Sequence, residues 1–326
     1  MGEMPLELRR QQIMTTYWVN LQGHNNHPAI SAIEPCWEHG KRQINSFGWV
    51  VRKRASEMGI MERNYSPTVV LPTIPPWFLP QPEIDFSLLE LMRDEYGGNY
   101  KIFNSYIRGN YYGYLQIYTD GSKDPKTGRA AAAVVIPEFN VECGKRITDD
   151  ISVYACEMMA MIIALQWVEE VRPERVVIAS DSCAALMSLK CCNSRSREDL
   201  LYEILQSLFR IHQIHLSVRF VWVPAHVGID GNEKADKAAK CALKSGNKHI
   251  NINISKSEAK VVIKGQIKKM WQNQWNKETK GRYLFKNIPL VGKIGTGGRN
   301  RKEGKVITRI RNGHTGLNSS LYDWKA

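Results

Sequence analysis

The sequence lacks the usual marks of a disulfide, zinc or membrane framework. Its seven cysteines are odd in number, and none forms a C-x-x-C pair, so we expect neither a disulfide scaffold nor a zinc site. The longest apolar run, AAAAVVI at 130–136, is far shorter than the roughly 20 residues that span a bilayer. The first residues, MGEMPLELRRQQIM, lack the apolar core of a signal peptide. Because free thiols suit a reducing compartment, we expect an intracellular protein of the cytoplasm or nucleus.

The charge is concentrated at one end of the chain. The formal net charge is +13 over 326 residues, a length sufficient for about two domains. Residues 1–110 are electrically balanced and residues 111–242 carry −2, whereas residues 243–326 hold 19 Lys and Arg against 4 Asp and Glu. This asymmetry predicts a basic segment that binds nucleic acid, with a solvated basic tail as the alternative.

The residue pattern changes twice along the chain. LELRRQQIMTTYWVNL near the start has helical spacing, whereas six prolines between residues 64 and 86 predict an extended linker or a strand at a sheet edge. From residue 114 the pattern predicts the order βββ-α-β-α-α-β-α, an α/β fold with a five-stranded mixed sheet flanked by helices. We therefore predict a helical connector (1–63), a Pro-rich linker (64–110), an α/β domain (111–245) and a basic C-terminal extension (246–326).

Four acids fall at corresponding ends of these predicted elements. Asp120 ends the first strand, Glu157 opens the first long helix, Asp181 follows the fourth strand and Asp236 lies in the last helix. Each alone is an ordinary turn or helix-start residue. Together they can meet at one side of the sheet, where clustered carboxylates need divalent cations such as Mg²⁺ or Mn²⁺ to stay charged. Two such ions can clamp the reacting oxygens of a phosphodiester.

A glycine-rich loop precedes the last of these acids. In WVPAHVGIDGNEKAD, residues 222–236, His226 stands ten positions before Asp236. A histidine on such a loop can accept or donate a proton beside the metals. The alternative is an ordinary surface histidine.

Four segments together resemble the type 1 ribonuclease H domain over about residues 114–243: IYTDGS, ACEMMAMIIAL, IASDS and WVPAHVGIDGNEKAD. The resemblance implies a ribonuclease H-like fold and endonucleolytic cleavage of the RNA strand of an RNA–DNA hybrid, dependent on two Mg²⁺ or Mn²⁺ ions. It implies the metal ligands Asp120, Glu157, Asp181 and Asp236, and a product-release role for His226. Where some relatives have asparagines before the helical glutamate, this chain has Tyr154, Ala155 and Cys156.

Further residues are predicted to contact nucleic acid. Gly121 and Ser122 would let the hybrid backbone approach Asp120, and Ser182 and Asn232 adjoin the other acids. On the basic extension, lysines spaced by four, including Lys264 and Lys268, are expected on one helical face. Trp271 and Trp275 would either stack on bases or pack in a core.

The flanks, EMPLELRRQQIM and VITRIRNGHTGLNSSLY, resemble the borders of ribonuclease H in polyproteins of non-LTR retrotransposons. That likeness implies a C-terminal part of a reverse-transcriptase polyprotein, without the polymerase. The alternatives are a non-catalytic nucleic-acid-binding remnant and an exonuclease or integrase with the same acidic fold.

Overall fold

The computed structural model describes residues 4–24, 27–33, 46–70, 73–91, 100–194, 196–280, 282–292, 303 and 305–307. They divide into two compact units, one formed by residues 1–21, 26–62 and 259–326 and the other by residues 22–25 and 63–258. The four-part division of the chain stays a prediction. Only the first two residues of the C-terminal flank VITRIRNGHTGLNSSLY are among the described residues. Within the described part, none of the helices has the length and hydropathy to cross a bilayer.

The helices, in chain order, are α1 (Leu6–Gln22), α2 (Pro28–Ile33), α3 (Phe47–Glu57), α4 (Ser87–Leu91), α5 (Tyr100–Asn110), α6 (Val153–Val171), α7 (Cys183–Lys190), α8 (Glu198–Gln213), α9 (Asp230–Ala242), α10 (Lys256–Lys277) and α11 (Arg282–Asn287). The strands are β1 (Glu83–Asp85), β2 (Leu115–Lys123), β3 (Ala130–Ile136), β4 (Val141–Ile147), β5 (Arg175–Ser180) and β6 (Ser217–Trp222). From β2 onward this order confirms the predicted one.

The strands form one mixed sheet in the order β1-β6-β5-β2-β3-β4. Along this order β1, β6, β5 and β2 are parallel to one another, whereas β3 is antiparallel to both β2 and β4. The predicted α/β class is confirmed, and the five strands predicted after residue 114 are joined by a sixth from outside that range. The sixth strand, β1, comes from the Pro-rich segment and pairs with β6 at the sheet edge. Its three residues are too few to show the alternation that identifies a strand in a sequence.

Helices cover both faces of the sheet. Helix α6 packs on β2, β3 and α8, and helix α9 packs on β2, β3 and β4. Gly121 of β2 faces α6, whereas Tyr118, three residues earlier, faces Gly231 of α9, as the alternation of side chains along a strand requires. Because both faces are covered, β3 is buried along its whole length.

Asp120 lies inside β2 rather than at its end. The predicted strand stops at Asp120, but β2 continues to Lys123 because residues 120–123 pair with residues 130–133 of β3. The predicted end of the strand at Asp120 is therefore wrong. What ends near Asp120 is the parallel pairing with β5, whose last register pair is Thr119 with Ser180.

In the first unit, α10 has one buried and one exposed face. Trp271 and Trp275 are 5% and 3% exposed, so the core-packing interpretation of these tryptophans is confirmed. The indole Nε1 of Trp275 donates to the carbonyl oxygen of Ile288 at 3.0 Å. Lys264 and Lys268 are exposed, as phosphate-binding lysines must be.

Gly121 is required by the contact between β2 and α6. A Cβ atom there would lie 2.4 Å from the backbone nitrogen of Glu157 and 2.6 Å from the carbonyl carbon of Cys156. Those are backbone atoms of a helix that is packed along its length, so a rotamer change cannot remove the clash. The packing of the protein itself accounts for a glycine at this position.

We predict that Gly121→Ala lowers the free energy of unfolding by about 2 kcal/mol or more, because α6 must shift. The matched control is Gly109→Ala in α5, where no described atom lies within 4 Å of the added methyl group. That control should be neutral or stabilising by up to about 1 kcal/mol, since alanine favours a helix. Urea unfolding of both variants checks this, and equal effects would contradict it.

Candidate active site

The pairing of β2 with β5 brings Asp120 beside Asp181. Thr119 pairs with Ser180, the last residue of β5, so the next residues along the two parallel strands are Asp120 and Asp181. Parallel neighbours lie about 4.8 Å apart, which brings two carboxylates to one edge of the paired region. Asp120 is 7% exposed. Asp181 leads into α7, whose N-cap is the next residue, Ser182.

Helix α6 supplies the third carboxylate. Its N-cap Ser152 accepts a hydrogen bond from the backbone N–H of Ala155, which fixes the first turn, and Glu157 follows in the second. The close contact at Gly121 sets this turn directly against β2. Ligand oxygens of Asp120, Glu157 and Asp181 all lie within 4.8 Å of one another. The structure thus brings together three of the four predicted metal ligands.

Burial and mutual repulsion both oppose charge on this carboxylate cluster. Burial, followed by the charges of Asp181 and Asp236, raises the pKa of Asp120 to about 7. Burial also raises the pKa of Glu157 well above its ordinary value, with the charges of Asp120 and Asp181 acting in the same direction. The pKa of Asp181 is raised as well, mainly by burial. A cation bound at the cluster would therefore stabilise the charged forms of these carboxylates.

The donor set fits a divalent cation that prefers oxygen ligands. The buried Oε2 atom of Glu157 accepts no hydrogen bond from any described residue. A buried carboxylate oxygen without a donor is expensive unless a cation approaches it. Three carboxylates without a thiolate match the hard ligands that Mg²⁺ and Mn²⁺ select.

The fourth predicted ligand, Asp236, belongs to a neighbouring group. Ligand atoms of His226, Glu233 and Asp236 lie within 4.8 Å of one another. The Lys240 ammonium contacts Asp236 Oδ2 at 2.6 Å, one helical turn away. The charge of Asp236 nevertheless helps to raise the pKa of Asp120 and of Asp181, so it acts within the electrostatic range of the three-carboxylate cluster.

His226 lies on the loop between β6 and α9. Its side chain is exposed, and its φ of 55° is in the left-handed region, which few non-glycine residues adopt. The positive charge it carries when protonated lowers the pKa of Asp181. The histidine is therefore accessible to solvent and electrostatically coupled to the acids.

The predicted nucleic-acid contacts divide between the two units. Asn232 Nδ2 donates to Asp181 Oδ2 at 3.3 Å, so Asn232 orients one carboxylate of the cluster. Ser182 Oγ accepts from the Ala185 N–H as a helix cap. Ser122 lies two residues beyond Asp120 and hence on the same face of β2. Lys264 and Lys268 belong to the other unit.

Residues 113–244 match the RNase H family model. The match covers all four acids and His226, and with the mixed sheet and its flanking helices it establishes an RNase H domain with an RNase H-like fold. An RNase H domain indicates a nuclease that binds nucleic acid hybrids. The family typically uses divalent metals, in agreement with the buried cluster.

Sequence reasoning missed two participants. Glu233 shares the group of His226 and Asp236, and Lys240 neutralises Asp236. The signal for Lys240 was its spacing of four from Asp236 on a predicted helix, which places both on one face. Glu233 stood beside Asn232 in the quoted loop, three residues before Asp236.

We predict an unusual pH dependence of stability for the metal-free protein. Since the folded pKa of Asp120 is about 7 and its ordinary value is 3.8, the folded state retains a proton that the unfolded chain releases. The carboxyl group therefore has no effect on the free energy of unfolding below about pH 4 and lowers it as the pH rises toward 7. In EDTA, the free energy of unfolding in urea should fall between pH 5 and pH 7.5 by about 2–3 kcal/mol more for wild type than for Asp120→Asn. Parallel curves for the two proteins would contradict this.

Proposed function

We propose that the protein hydrolyses the RNA strand of RNA–DNA hybrids endonucleolytically, in a reaction that depends on Mg²⁺ and accepts Mn²⁺. The observation that carries the proposal is the cluster formed by the buried Asp120 and Glu157 with the half-buried Asp181. One ligand oxygen from each lies within 4.8 Å of the others, and all three residues belong to the segment that matches RNase H. The products would bear 5′-phosphate and 3′-hydroxyl ends.

Asp120, Glu157 and Asp181 would hold two ions, with Asp236 as the fourth acid. When bound, the ions supply Lewis-acid activation of a water and neutralise charge on the phosphate. The protein contributes preorganisation: β2, β5 and α6 hold the three carboxylates in place, and Asn232 holds the Asp181 carboxylate by its hydrogen bond. Ser122 and Ser182 are placed to contact the hybrid backbone near the acids.

His226 is proposed to transfer a proton as product leaves. Its exposed side chain and the adjoining Gly228, with a φ of 83°, allow the loop to change conformation. Its influence on Asp181 supports a position from which a proton can reach the reacting phosphate.

The basic C-terminal segment is proposed to add affinity for nucleic acid. Lys264 and Lys268 are exposed on α10. Such lysines bind phosphates without reading sequence, and that binding weakens with salt. The likeness of both flanks to retrotransposon polyproteins supports an origin in a mobile element, active in the cytoplasm or nucleus.

We predict that Asp120→Asn and Asp181→Asn each lower hybrid cleavage at least about 100-fold in Mg²⁺, because each removes a charged ligand. The assay uses a labelled RNA–DNA hybrid with and without Mg²⁺, beside double-stranded RNA and DNA. Asp124→Asn is the matched control, since Asp124 is a half-buried residue just before a turn, whose bonds to Thr127 and to the Lys126 N–H an asparagine can keep. Binding of the hybrid without cleavage by wild type in Mg²⁺ or Mn²⁺ would instead indicate a non-catalytic remnant. Mononucleotide products would indicate an exonuclease.

We predict that His226→Ala lowers kcat by roughly 10- to 100-fold and changes KM little, because it removes a proton-transfer group rather than a binding contact. His215→Ala is the matched control. His215 is also exposed and left-handed, with a φ of 60°, but it precedes β6 whereas His226 follows it. An equal effect of the two substitutions, or none at His226, would exclude the proposed role.

A further inference from the structure

Glu258, outside the range that matches RNase H, caps the helix on which it lies. The Ser255 N–H donates to Glu258 Oε2 at 2.9 Å, and the Glu258 N–H donates to Ser255 Oγ at 3.2 Å. This reciprocal pair is a capping box, in which an N-cap serine and a glutamate three residues later satisfy each other's backbone donors. It begins α10.

The other oxygen of the same carboxylate caps a second helix, α6. Both the backbone N–H and the Oγ–H of Ser152 donate to Glu258 Oε1, each at 2.7 Å. Ser152 is the N-cap of α6, and its Oγ in turn accepts from the Ala155 N–H. One buried carboxylate, 5% exposed, therefore closes the first turns of α6 and α10 together.

The sequence of α6 explains why it needs this distant carboxylate. In a local capping box the residue three positions after the N-cap is Glu or Gln, and it accepts from the N-cap N–H. In α6 that position is Ala155, which has no acceptor. Glu258 supplies the missing acceptor from another part of the chain. Its negative charge also suits the positive end of the helix dipole.

A buried arginine holds Glu258 in place. Arg197 is 1% exposed and donates through Nη1 to Glu258 Oε2 at 3.2 Å. Its other nitrogens form a two-pronged pair with Asp199, at 2.9 and 2.8 Å. Ser66 Oγ completes the network with a hydrogen bond to Asp199 at 2.8 Å. Such a network has one preferred geometry, because any partner that moves away leaves a buried charge unpaired.

We propose that Glu258 is a positioning residue for the metal-binding carboxylate of Glu157. Glu157 follows Ser152 by five residues, and its place beside Asp120 depends on where α6 begins. The effect of Glu258 on catalysis rests on the proposed function. Its effect on the geometry of the first turns of α6 does not. Glu258, which lies outside the matched range, fixes that geometry through its contacts with Ser152 and Arg197.

The test uses the full chain with the substitution Glu258→Ala and two readouts that do not require cleavage. The first is hydrogen exchange at the amides of residues 156–158, which should become at least about tenfold faster as the first turn frays. The second is Mn²⁺ binding by isothermal titration calorimetry, where Kd should rise by about tenfold, as for other groups that orient a metal ligand. Ser152→Ala, which keeps the backbone contact, should shift both readouts in the same direction by less.

Two control variants separate positioning from general loss of stability. Val168→Ala removes buried methyl groups near the far end of α6 and leaves the cap intact. Ser255→Ala weakens the capping box of α10 but keeps the contact of Glu258 with Ser152. Both should leave Mn²⁺ affinity and exchange at residues 156–158 within about twofold of wild type.

The inference is overturned if Glu258→Ala leaves both readouts at wild-type values, or if Val168→Ala weakens Mn²⁺ binding as much. A wild-type protein that binds Mn²⁺ but does not cleave hybrid would contradict the proposed function and leave these readouts valid. If Glu258→Ala does not fold, Ser152→Ala decides by the same criteria.

Discussion

The parallel register between β2 and β5 is the constraint on which the candidate site depends. It aligns Thr119 with Ser180, so that Asp120 and Asp181 follow side by side. A slip of one residue would turn Asp120 to the opposite face of the sheet and separate the pair. The register is held by burial, since Ile117 and Ile178 are register partners and both are fully buried. The same apolar pairing that stabilises the sheet therefore also places two carboxylates together.

That placement acts against folding in the absence of a cation. Burial and mutual repulsion raise the pKa of Asp120, Glu157 and Asp181, so the charged cluster is destabilising at neutral pH. The surrounding structure tolerates this because the elements that hold the acids are firmly packed. Gly121 lets α6 touch β2, and Gly231 lets α9 reach the ring of Tyr118, where a Cβ atom would lie 2.3 Å away. Close packing of small residues thus offsets an electrostatic strain that a divalent cation relieves.

Much of this architecture was accessible from sequence, because its signals are local or periodic. The alternation in LQIYT and the helical spacing in α6 identify their elements directly, and the acids stand next to recognisable strand and helix ends. Other features depend on contacts between distant segments. β1 has three residues and gains its identity from pairing with β6. The glycine after Asp120 predicts the end of a strand there, but pairing with β3 continues the strand to Lys123. The spacing of Trp271 and Trp275 fits both stacking on bases and packing in a core, and only their burial in the fold distinguishes the two.

The compact unit that contains the RNase H domain is longer than the range that matches the family model. Residues 113–244 match RNase H, yet the compact unit extends from residue 63 to residue 258. Tyr65 bridges to Ile254, and the Ser66 N–H donates to the Ile254 carbonyl oxygen at 2.9 Å, so both flanks meet within this unit. The sequence Ser255-Lys-Ser-Glu258 has the pattern of a local helix cap, which describes half of what its carboxylate does. The other half is the hydrogen bond from the Ser152 N–H, a donor for which Ala155 offers no local acceptor. The helix that carries Glu157 must begin at a defined residue to place that carboxylate beside Asp120 and Asp181. Here the defining side chain, Glu258, lies 106 positions further along the chain than Ser152.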